Sequence, residues 1–150
     1  MIYRFISVAL AAVLLSSAQG ALAGLDYVTT GRPAVLYDGP STAANKTVVV
    51  GAGYPFEVLE RNENWLKVRD SAGDLLWIES AAARGRPAVI VTAATAAVLE
   101  RPQVDAPTRY RVSQNVTLER VGESTEPGWI KVRHPQGGDG YMRLQDIWGQ

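Results

Sequence analysis

Acidic side chains are the residues of this sequence whose type and spacing come nearest to a catalytic pattern. Glu60 and Glu63 lie just before Trp65, and a second acidic group precedes Trp129. The second group is Glu119, Glu123 and Glu126. Two carboxylates can hydrolyse a glycosidic bond when a cleft holds them at a fixed separation. Both groups fall in segments that resemble solvated loops, where acidic residues usually serve solubility. We therefore predict no catalytic residue among them.

Other side chains used in catalysis or metal binding are scarce. The chain contains no cysteine and one histidine, His134. These counts exclude disulfides, cysteine nucleophiles and any metal site that needs two histidine ligands. His134 lies in the turn-like segment RHPQGG, outside any candidate serine–histidine–aspartate arrangement. We predict no metal ion and no cofactor.

A second set of residues has the chemistry of a binding site. The phrase WLKVR at residues 65–69 returns as WIKVR at residues 129–133. Successive side chains of a strand point to opposite faces, so the aliphatic residues of each phrase would face a core. The tryptophan and the two cations would then share the outer face, with the cations' alkyl stems lying along the ring. In the first copy the outward residues are Trp65, Lys67 and Arg69.

The repeated phrase belongs to a longer internal duplication. VLER at residues 58–61 matches TLER at 117–120. Upstream, VTTGRPAVL at residues 28–36 matches VTAATAAVL at 91–99. These matches predict two copies of one unit, each of about 55 to 60 residues, which is close to the smallest size that folds alone.

The offset between the two copies varies along the chain. It is 63 at AVL, 59 at LER and 64 at the tryptophan, where Trp77 also falls opposite Tyr141. Insertions and deletions of this kind occur in loops, so variable loops are expected before LER and between LER and the tryptophan. In this alignment Glu100 takes the place of Tyr37.

The first 23 residues have the layout of a secretory signal peptide. Arg4 precedes an apolar run from Phe5 to Leu15, and Ala21-Leu22-Ala23 provides an A-x-A site before Gly24. The run is about half of the ~20 residues that span a bilayer. We expect cleavage after Ala23, a periplasmic or secreted protein, and no stable membrane span after cleavage.

Net charge argues against two classes of partner. Arg4 is the only charged residue in the first 23, so the rest of the chain carries 14 basic and 15 acidic groups. A surface balanced in this way gives no electrostatic reason to expect nucleic acid or anionic lipid as a partner.

Short strands separated by turns dominate the sequence after residue 24. Alternating apolar residues, many of them β-branched or aromatic, are separated by clusters of turn-forming residues. No long segment there has the 3.6-residue period of a helix, and LQDIW at residues 144–148 is short enough for a single 3-10 turn. We predict an all-β protein. The predicted strands after the opening VLY are TVVV (47–50), FEVLER (56–61), WLKVR (65–69), LLWI (75–78), GRPAVIV (85–91), AVL (97–99), YRV (110–112), VTLERV (116–121), WIKVR (129–133) and YMR (141–143).

This organisation resembles the bacterial SH3 family. The likeness rests on VLYDGPS at residues 35–41, on WLKV and WIKV, and on the glycine turns in GDLLWI and GGDGYM. The second copy has ERPQ at residues 100–103 in place of GPS. The resemblance implies two tandem, small, five-stranded SH3-like barrels, at residues 24–83 and 84–150.

The resemblance also implies a function. It predicts a non-catalytic module that recognises a cell-envelope ligand, either peptidoglycan or an envelope protein. In the family such modules usually accompany a hydrolase on the same chain. The candidate ligand-binding residues are Tyr37, Trp65, Lys67, Arg69, Trp77, Trp129 and Tyr141. Aromatic rings would supply contact area, and Lys67 and Arg69 would reach carboxylates of a peptide stem.

Two other functions stay open at this point. The protein could be a structural or assembly subunit, in which Trp65 and Trp129 are buried between the repeats. It could also be an unrecognised hydrolase, which would need a cleft that holds two carboxylates away from any cation. An open groove beside Trp65 and Trp77 would favour binding instead.

Overall fold

The computed structural model describes residues 24–150, which form strands, turns and one 3-10 turn. The predicted signal peptide at residues 1–23 lies outside the described residues. The first half of the described chain contains β1 (Tyr27–Thr29), β2 (Ala34–Tyr37), β3 (Lys46–Val50), β4 (Pro55–Asn62), β5 (Trp65–Arg69) and β6 (Leu75–Glu79). The second half contains β7 (Ala88–Val91), β8 (Thr95–Leu99), β9 (Thr108–Ser113), β10 (Thr117–Glu123), β11 (Trp129–His134), β12 (Gly138–Arg143), the 3-10 turn Leu144–Asp146 and β13 (Ile147–Trp148).

The two halves form separate antiparallel sheets with the same strand order. The first sheet runs β1-β4-β5-β6-β2-β3, and the second runs β13-β7-β10-β11-β12-β8-β9. Apart from β13, each strand of the second sheet occupies the place of a strand in the first. The predictions of an all-β fold and of a duplication are therefore confirmed.

The sheets have six and seven strands, not the five of the predicted barrels, and each contains one strand that no predicted segment covered. The additions are short: β1 has three residues, and β13 has two and follows the 3-10 turn predicted in LQDIW. Strands this short carry too few alternating residues for a sequence pattern to reveal them. The segment GRPAVIV was predicted to open the second repeat, and it contains β7.

The predicted alternation of apolar and polar residues gives each sheet one inward face, which packs into an apolar core. In β5, Leu66 and Val68 are buried while the residues between and beside them are not, and β11 repeats this pattern. The first core is built around Leu36, Phe56, Leu66, Val68 and Ile78. The second is built around Val98, Leu118, Ile130, Val132 and Met142.

Strand register corrects the alignment of the two repeats at β4 and β10. Glu57 pairs with Arg69 and Glu119 pairs with Arg133, so Glu57 and Glu119 are equivalent. The match of VLER with TLER is therefore wrong. Burial gives the reason, because Leu59 of VLER is 43% exposed whereas the leucine of TLER belongs to the second core.

The same correction applies to Tyr37. Tyr37 pairs with Trp77, and Leu99 pairs with Tyr141, so Leu99 and not Glu100 replaces Tyr37. The offset is 62 from β2 through β4 and 64 from β5 onward, because the β10–β11 hairpin holds two extra residues. The variable loop between LER and the tryptophan is thus found, and the one before LER is not.

The two sheets meet through an aromatic contact and close backbone packing. The rings of Tyr27 and Trp148 lie edge to face, with centroids 5.3 Å apart. Gly149 follows directly, with φ at 108°, and a Cβ there would stand 2.8 Å from Cβ of Pro55. Glycine permits both the left-handed backbone and the close approach. Nowhere in residues 24–150 does a helix reach the length and apolarity needed to cross a bilayer.

Candidate functional site

The outer face of the first sheet brings several predicted residues together. Strands β5, β6 and β2 are neighbours, and their register places Lys67 beside Trp77 and Trp77 beside Tyr37. Trp65 lies on the same face of β5, because it is two residues from Lys67. Four of the predicted residues therefore form one group, here called the aromatic face: Tyr37, Trp65, Lys67 and Trp77.

Aromatic packing fixes the position of Trp65. The rings of Trp65 and Tyr37 are 5.3 Å apart and meet at 87°, the edge-to-face arrangement that aromatic pairs prefer. Tyr37 is only 6% exposed, whereas Trp65 and Trp77 are partly exposed. Tyr37 therefore packs beneath the ring of Trp65, on the side of the core, and has little surface that a ligand could contact.

Lys67 is the accessible cation of the aromatic face. Its Nζ lies 6.0 Å from the ring centroid of Trp77, at the limit of a cation–π interaction. Among the described residues, no ion pair involves Lys67. Its ammonium group is therefore available to an anionic group that approaches over Trp77.

Arg69 is held by an internal carboxylate. Its Nε donates to Oε2 of Glu57 at 2.8 Å, and its Nη2 donates to Oε1 at 2.9 Å. Glu57 is buried, and this fork of two charge-assisted hydrogen bonds satisfies both of its oxygens. The guanidinium of Arg69 thus already has a carboxylate partner, and its contact with a carboxylate of the ligand stays a prediction.

Two exposed aliphatic residues extend the aromatic face, and the sequence analysis did not single them out. Leu75 pairs with Arg69 at the start of β6 and is 55% exposed. Val49, in the edge strand β3, pairs with Val35 and is 67% exposed. The sequence could have indicated them, because the outward positions of the strands LLWI and TVVV hold aliphatic residues that cannot pack in the core.

The equivalent face of the second domain differs in its electrostatics. Arg133 forks onto Asp139 at 2.6 and 3.2 Å, and Lys131 lies 3.7 Å from the same carboxylate. Hydrogen bonding from Arg133 holds the pKa of Asp139 below its usual value. Lys131 therefore has an internal partner, whereas its counterpart Lys67 has none in the described chain.

The predicted residues of the second domain lie on this face as well. Tyr141 pairs with Lys131 in the same way as Trp77 pairs with Lys67. Trp129 lines a cavity within its own domain, and Trp65 packs within the first. The tryptophans of the repeated phrase are thus not the aromatic contact between domains, which is made by Tyr27 and Trp148.

Two of the acidic residues considered for catalysis are paired with arginines. Glu119 accepts a hydrogen bond from Arg86 at 3.2 Å, and Glu123 forms an ion pair with Arg120. His134 is the last residue of β11 and not a turn residue as expected, and its Nδ1 accepts a hydrogen bond at 3.2 Å from the amide of Gln136 in the turn that follows. Within residues 24–150, no group of three or more acidic or histidine side chains is arranged to hold a metal ion.

The duplication seen in the two sheets is also found by comparison with protein-family models. The model described as bacterial SH3 domain matches residues 30–85 and again residues 92–149. This chain belongs to the bacterial SH3 domain family. The two matches include every strand of both sheets except β1 and β7, and they confirm the two tandem SH3-like domains expected from the sequence. Bacterial SH3 domains are generally binding modules.

The solved structures that match this chain are distant in sequence. NlpC2 from Trichomonas vaginalis is 14% identical with a TM-score of 0.36, covering 83% of this chain and 47% of that one. An NlpC/P60 family protein from Bacillus cereus ATCC 10987 is 16% identical with a TM-score of 0.37, covering 82% and 56%. NlpC1 from Trichomonas vaginalis is 14% identical with a TM-score of 0.36, covering 94% and 51%. The chain spans about half the length of these proteins. The comparison with curated proteins gave no match.

Proposed function

We propose that this protein is an exported, non-catalytic module that binds a cell-envelope ligand, peptidoglycan or an envelope protein, through the aromatic face of its first domain. The observation that carries the proposal is the placement of Lys67 over Trp77. This cation has no ion-pair partner among the described residues, and Trp65 lies on the same face. Membership of a family of binding modules supports the assignment.

The chemistry of the aromatic face suits a ligand that combines apolar or ring-shaped parts with a carboxylate. Trp65 and Trp77 offer flat, partly exposed rings, and Leu75 adds aliphatic surface beside them. Such groups provide contact area at little entropic cost. Lys67 would pair with a carboxylate of the ligand. Peptidoglycan, whose sugar chains carry short peptides with carboxylates, has both features.

The proposed location rests on the sequence of the first 23 residues. A basic residue, an apolar run and an A-x-A site favour export and cleavage after Ala23, which places the protein in the periplasm or outside the cell. The proposed domain boundaries, 24–83 and 84–150, enclose the strands of the first and second sheets respectively.

A structural or assembly role is the second candidate. It is favoured by β3, which is an edge strand that pairs only with β2 and exposes Val48 and Val49. An unpaired edge with apolar side chains can pair with a strand of another chain. In this role the aromatic face would contact a protein and would not retain the chain on the cell wall.

A sedimentation assay on purified peptidoglycan tests the proposal. Residues 24–150, which contain every strand of both sheets, should pellet with peptidoglycan at moderate salt. Trp77→Ala and Lys67→Glu should each reduce the retained fraction by about tenfold, because they remove ring area and the ligand's cation partner. Leu59→Ala is the matched control, since Leu59 is exposed on β4 and lies outside the aromatic face.

The two candidate roles give different outcomes in this assay. Retention that is lost in the Trp77 and Lys67 variants but kept in the Leu59 variant supports wall binding. No retention of the unmodified protein excludes peptidoglycan as the ligand and leaves binding of an envelope protein or the assembly role. Equal retention of all variants would show that the aromatic face takes no part. Circular dichroism of each variant confirms that the sheets have formed.

A further inference from the structure

The outer face of the second domain contains a cavity that is larger than its counterpart in the first domain, where Val35, Tyr37 and Glu79 line a space of about 100 Å³. The cavity has a volume of about 230 Å³ and lies against Trp129. Strand register explains its walls. Arg111 of β9 pairs with Ala97 of β8, and Arg143 of β12 pairs with Trp129 of β11. Two arginines and a tryptophan thus stand around Ala97 of β8, whose side chain is a single methyl group.

The same positions in the first domain carry different residues. By the register offsets, Val49, Val35 and Glu79 replace Arg111, Ala97 and Arg143, while Trp65 replaces Trp129. A further difference in side-chain size occurs at Tyr37. Its ring packs on Trp65, and its counterpart in the second domain is the smaller Leu99. Substitution of a smaller side chain opens space beside Trp129, and two arginines replace a valine and a glutamate.

The cavity wall has a net positive charge, which favours an anionic ligand. Nε of Arg143 donates to Oδ2 of Asp146 at 3.2 Å, so these two charges offset each other. Arg111 takes part in no ion pair among the described residues. The wall therefore carries one uncompensated positive charge. A guanidinium presents paired donors whose geometry matches a carboxylate.

Apart from Thr108, the rest of the wall is aliphatic. Leu99 and Ala106 are buried, and Val104, which is 81% exposed, stands at the rim. The volume is somewhat below the ~300 Å³ at which pockets for drug-sized ligands begin. The occupant must therefore be short, with one negative charge next to small apolar groups.

We propose that this cavity binds the free carboxylate at the end of a short peptide with small side chains. Arg111 is the ion partner of the carboxylate, Trp129 contacts the last side chain, and Arg143 is held in place by Asp146. This site is separate from the aromatic face of the first domain, and it stands whether or not that face binds peptidoglycan.

A titration followed by NMR tests the site with defined probes. Residues 24–150, labelled with ¹⁵N, are titrated with acetyl-alanyl-alanine, with its C-terminal amide, and with glucuronic acid as a carboxylate from a sugar. The first probe should shift the indole N–H signal of Trp129 at millimolar concentration. The amide should bind at least tenfold more weakly, because it lacks the negative charge.

Three variants separate the charge from the shape of the cavity. Arg111→Gln should weaken acetyl-alanyl-alanine at least tenfold. Arg109→Gln, which removes the same charge two residues away on β9 and outside the cavity wall, should not. Leu99→Tyr should block the site by restoring the bulk that Tyr37 supplies in the first domain, while leaving both arginines unchanged.

The outcomes decide the proposal. The proposal is supported if acetyl-alanyl-alanine binds the unmodified protein, if its C-terminal amide does not, and if the Arg111→Gln and Leu99→Tyr variants lose binding of the acid. No shift at Trp129 with the acid overturns it, as does equal binding of acid and amide. Glucuronic acid that binds as well as the peptide would overturn the assignment to a peptide terminus. Equal losses in Arg109→Gln and Arg111→Gln would show an effect of net charge alone.

Discussion

At the scale of single residues, the decisive contact of the first domain is the pair between Glu57 and Arg69. Glu57 is 6% exposed, and both of its carboxylate oxygens accept from the Arg69 guanidinium. A buried carboxylate that loses its cation becomes costly, because nothing replaces the water it gave up. The pair therefore anchors β4 to β5 beside the aromatic face.

Removal of this cation gives the first stability prediction. Arg69→Ala should lower the free energy of unfolding by about 2 kcal/mol, below the range for fully buried pairs because the Arg69 side chain is 45% exposed. Chemical denaturation measures the change. Adding Glu57→Gln to Arg69→Ala should recover part of the loss, since the orphaned charge is then gone. A loss for Arg69→Ala below about 0.5 kcal/mol would contradict the anchoring role.

At the scale of strands, the contact between β1 and β13 joins the two domains. Tyr27 of β1 and Trp148 of β13 meet edge to face, close to the Glu57 carboxylate. Burial raises the pKa of the Tyr27 phenol, and the negative charge of Glu57 raises it further. The folded chain therefore holds this proton more tightly than the unfolded chain does.

The raised pKa predicts a loss of stability in alkali. The contribution of neutral Tyr27 is fully present below the unfolded pKa of about 10 and is lost as the pH rises through the folded pKa. Unfolding free energies measured from pH 8 to pH 11.5 should fall less steeply for Tyr27→Phe. Tyr110, whose pKa burial also raises, contributes to both proteins and cancels in the comparison. Identical slopes would contradict the prediction.

Strand patterns also show how far the sequence predicts this fold. The alternation in WLKVR and WIKVR was enough to separate core from outer face, because one face of each strand must be apolar. The match of VLER with TLER gave a wrong alignment, because the shared LER residues differ in burial between the two copies. The partner of Arg69 was not predictable either, since Glu57 lies 12 residues away and meets it only through strand pairing.

At the scale of the whole molecule, two copies of one fold present different surfaces. Both sheets keep the same strand order and an aliphatic core. Their outer faces diverge at a few positions, where Tyr37 and Glu79 in the first domain correspond to Leu99 and Arg143 in the second. Core positions are constrained by packing, whereas outward positions are free to change, so duplication yields two faces with separate chemistry.

Glycine at position 140 shows the same divergence inside the second domain. Gly140 takes the place of Leu76, and a Cβ there would stand 2.3 Å from Cγ1 of Val98 and 2.9 Å from the carbonyl oxygen of Leu99. β8 therefore approaches β12 more closely than a side chain would allow. This close approach positions Leu99, and with it one wall of the cavity beside Trp129.

The most direct test of the central claim is an NMR titration of ¹⁵N-labelled residues 24–150 with soluble peptidoglycan fragments that contain both sugar and peptide. If the first domain binds such fragments through its aromatic face, the indole N–H signals of Trp65 and Trp77 should shift together and saturate. The same signals should stay in place in the Lys67→Glu variant. Shifts confined to the boundary between Tyr27 and Trp148, or no shift at saturating fragment, would contradict the account.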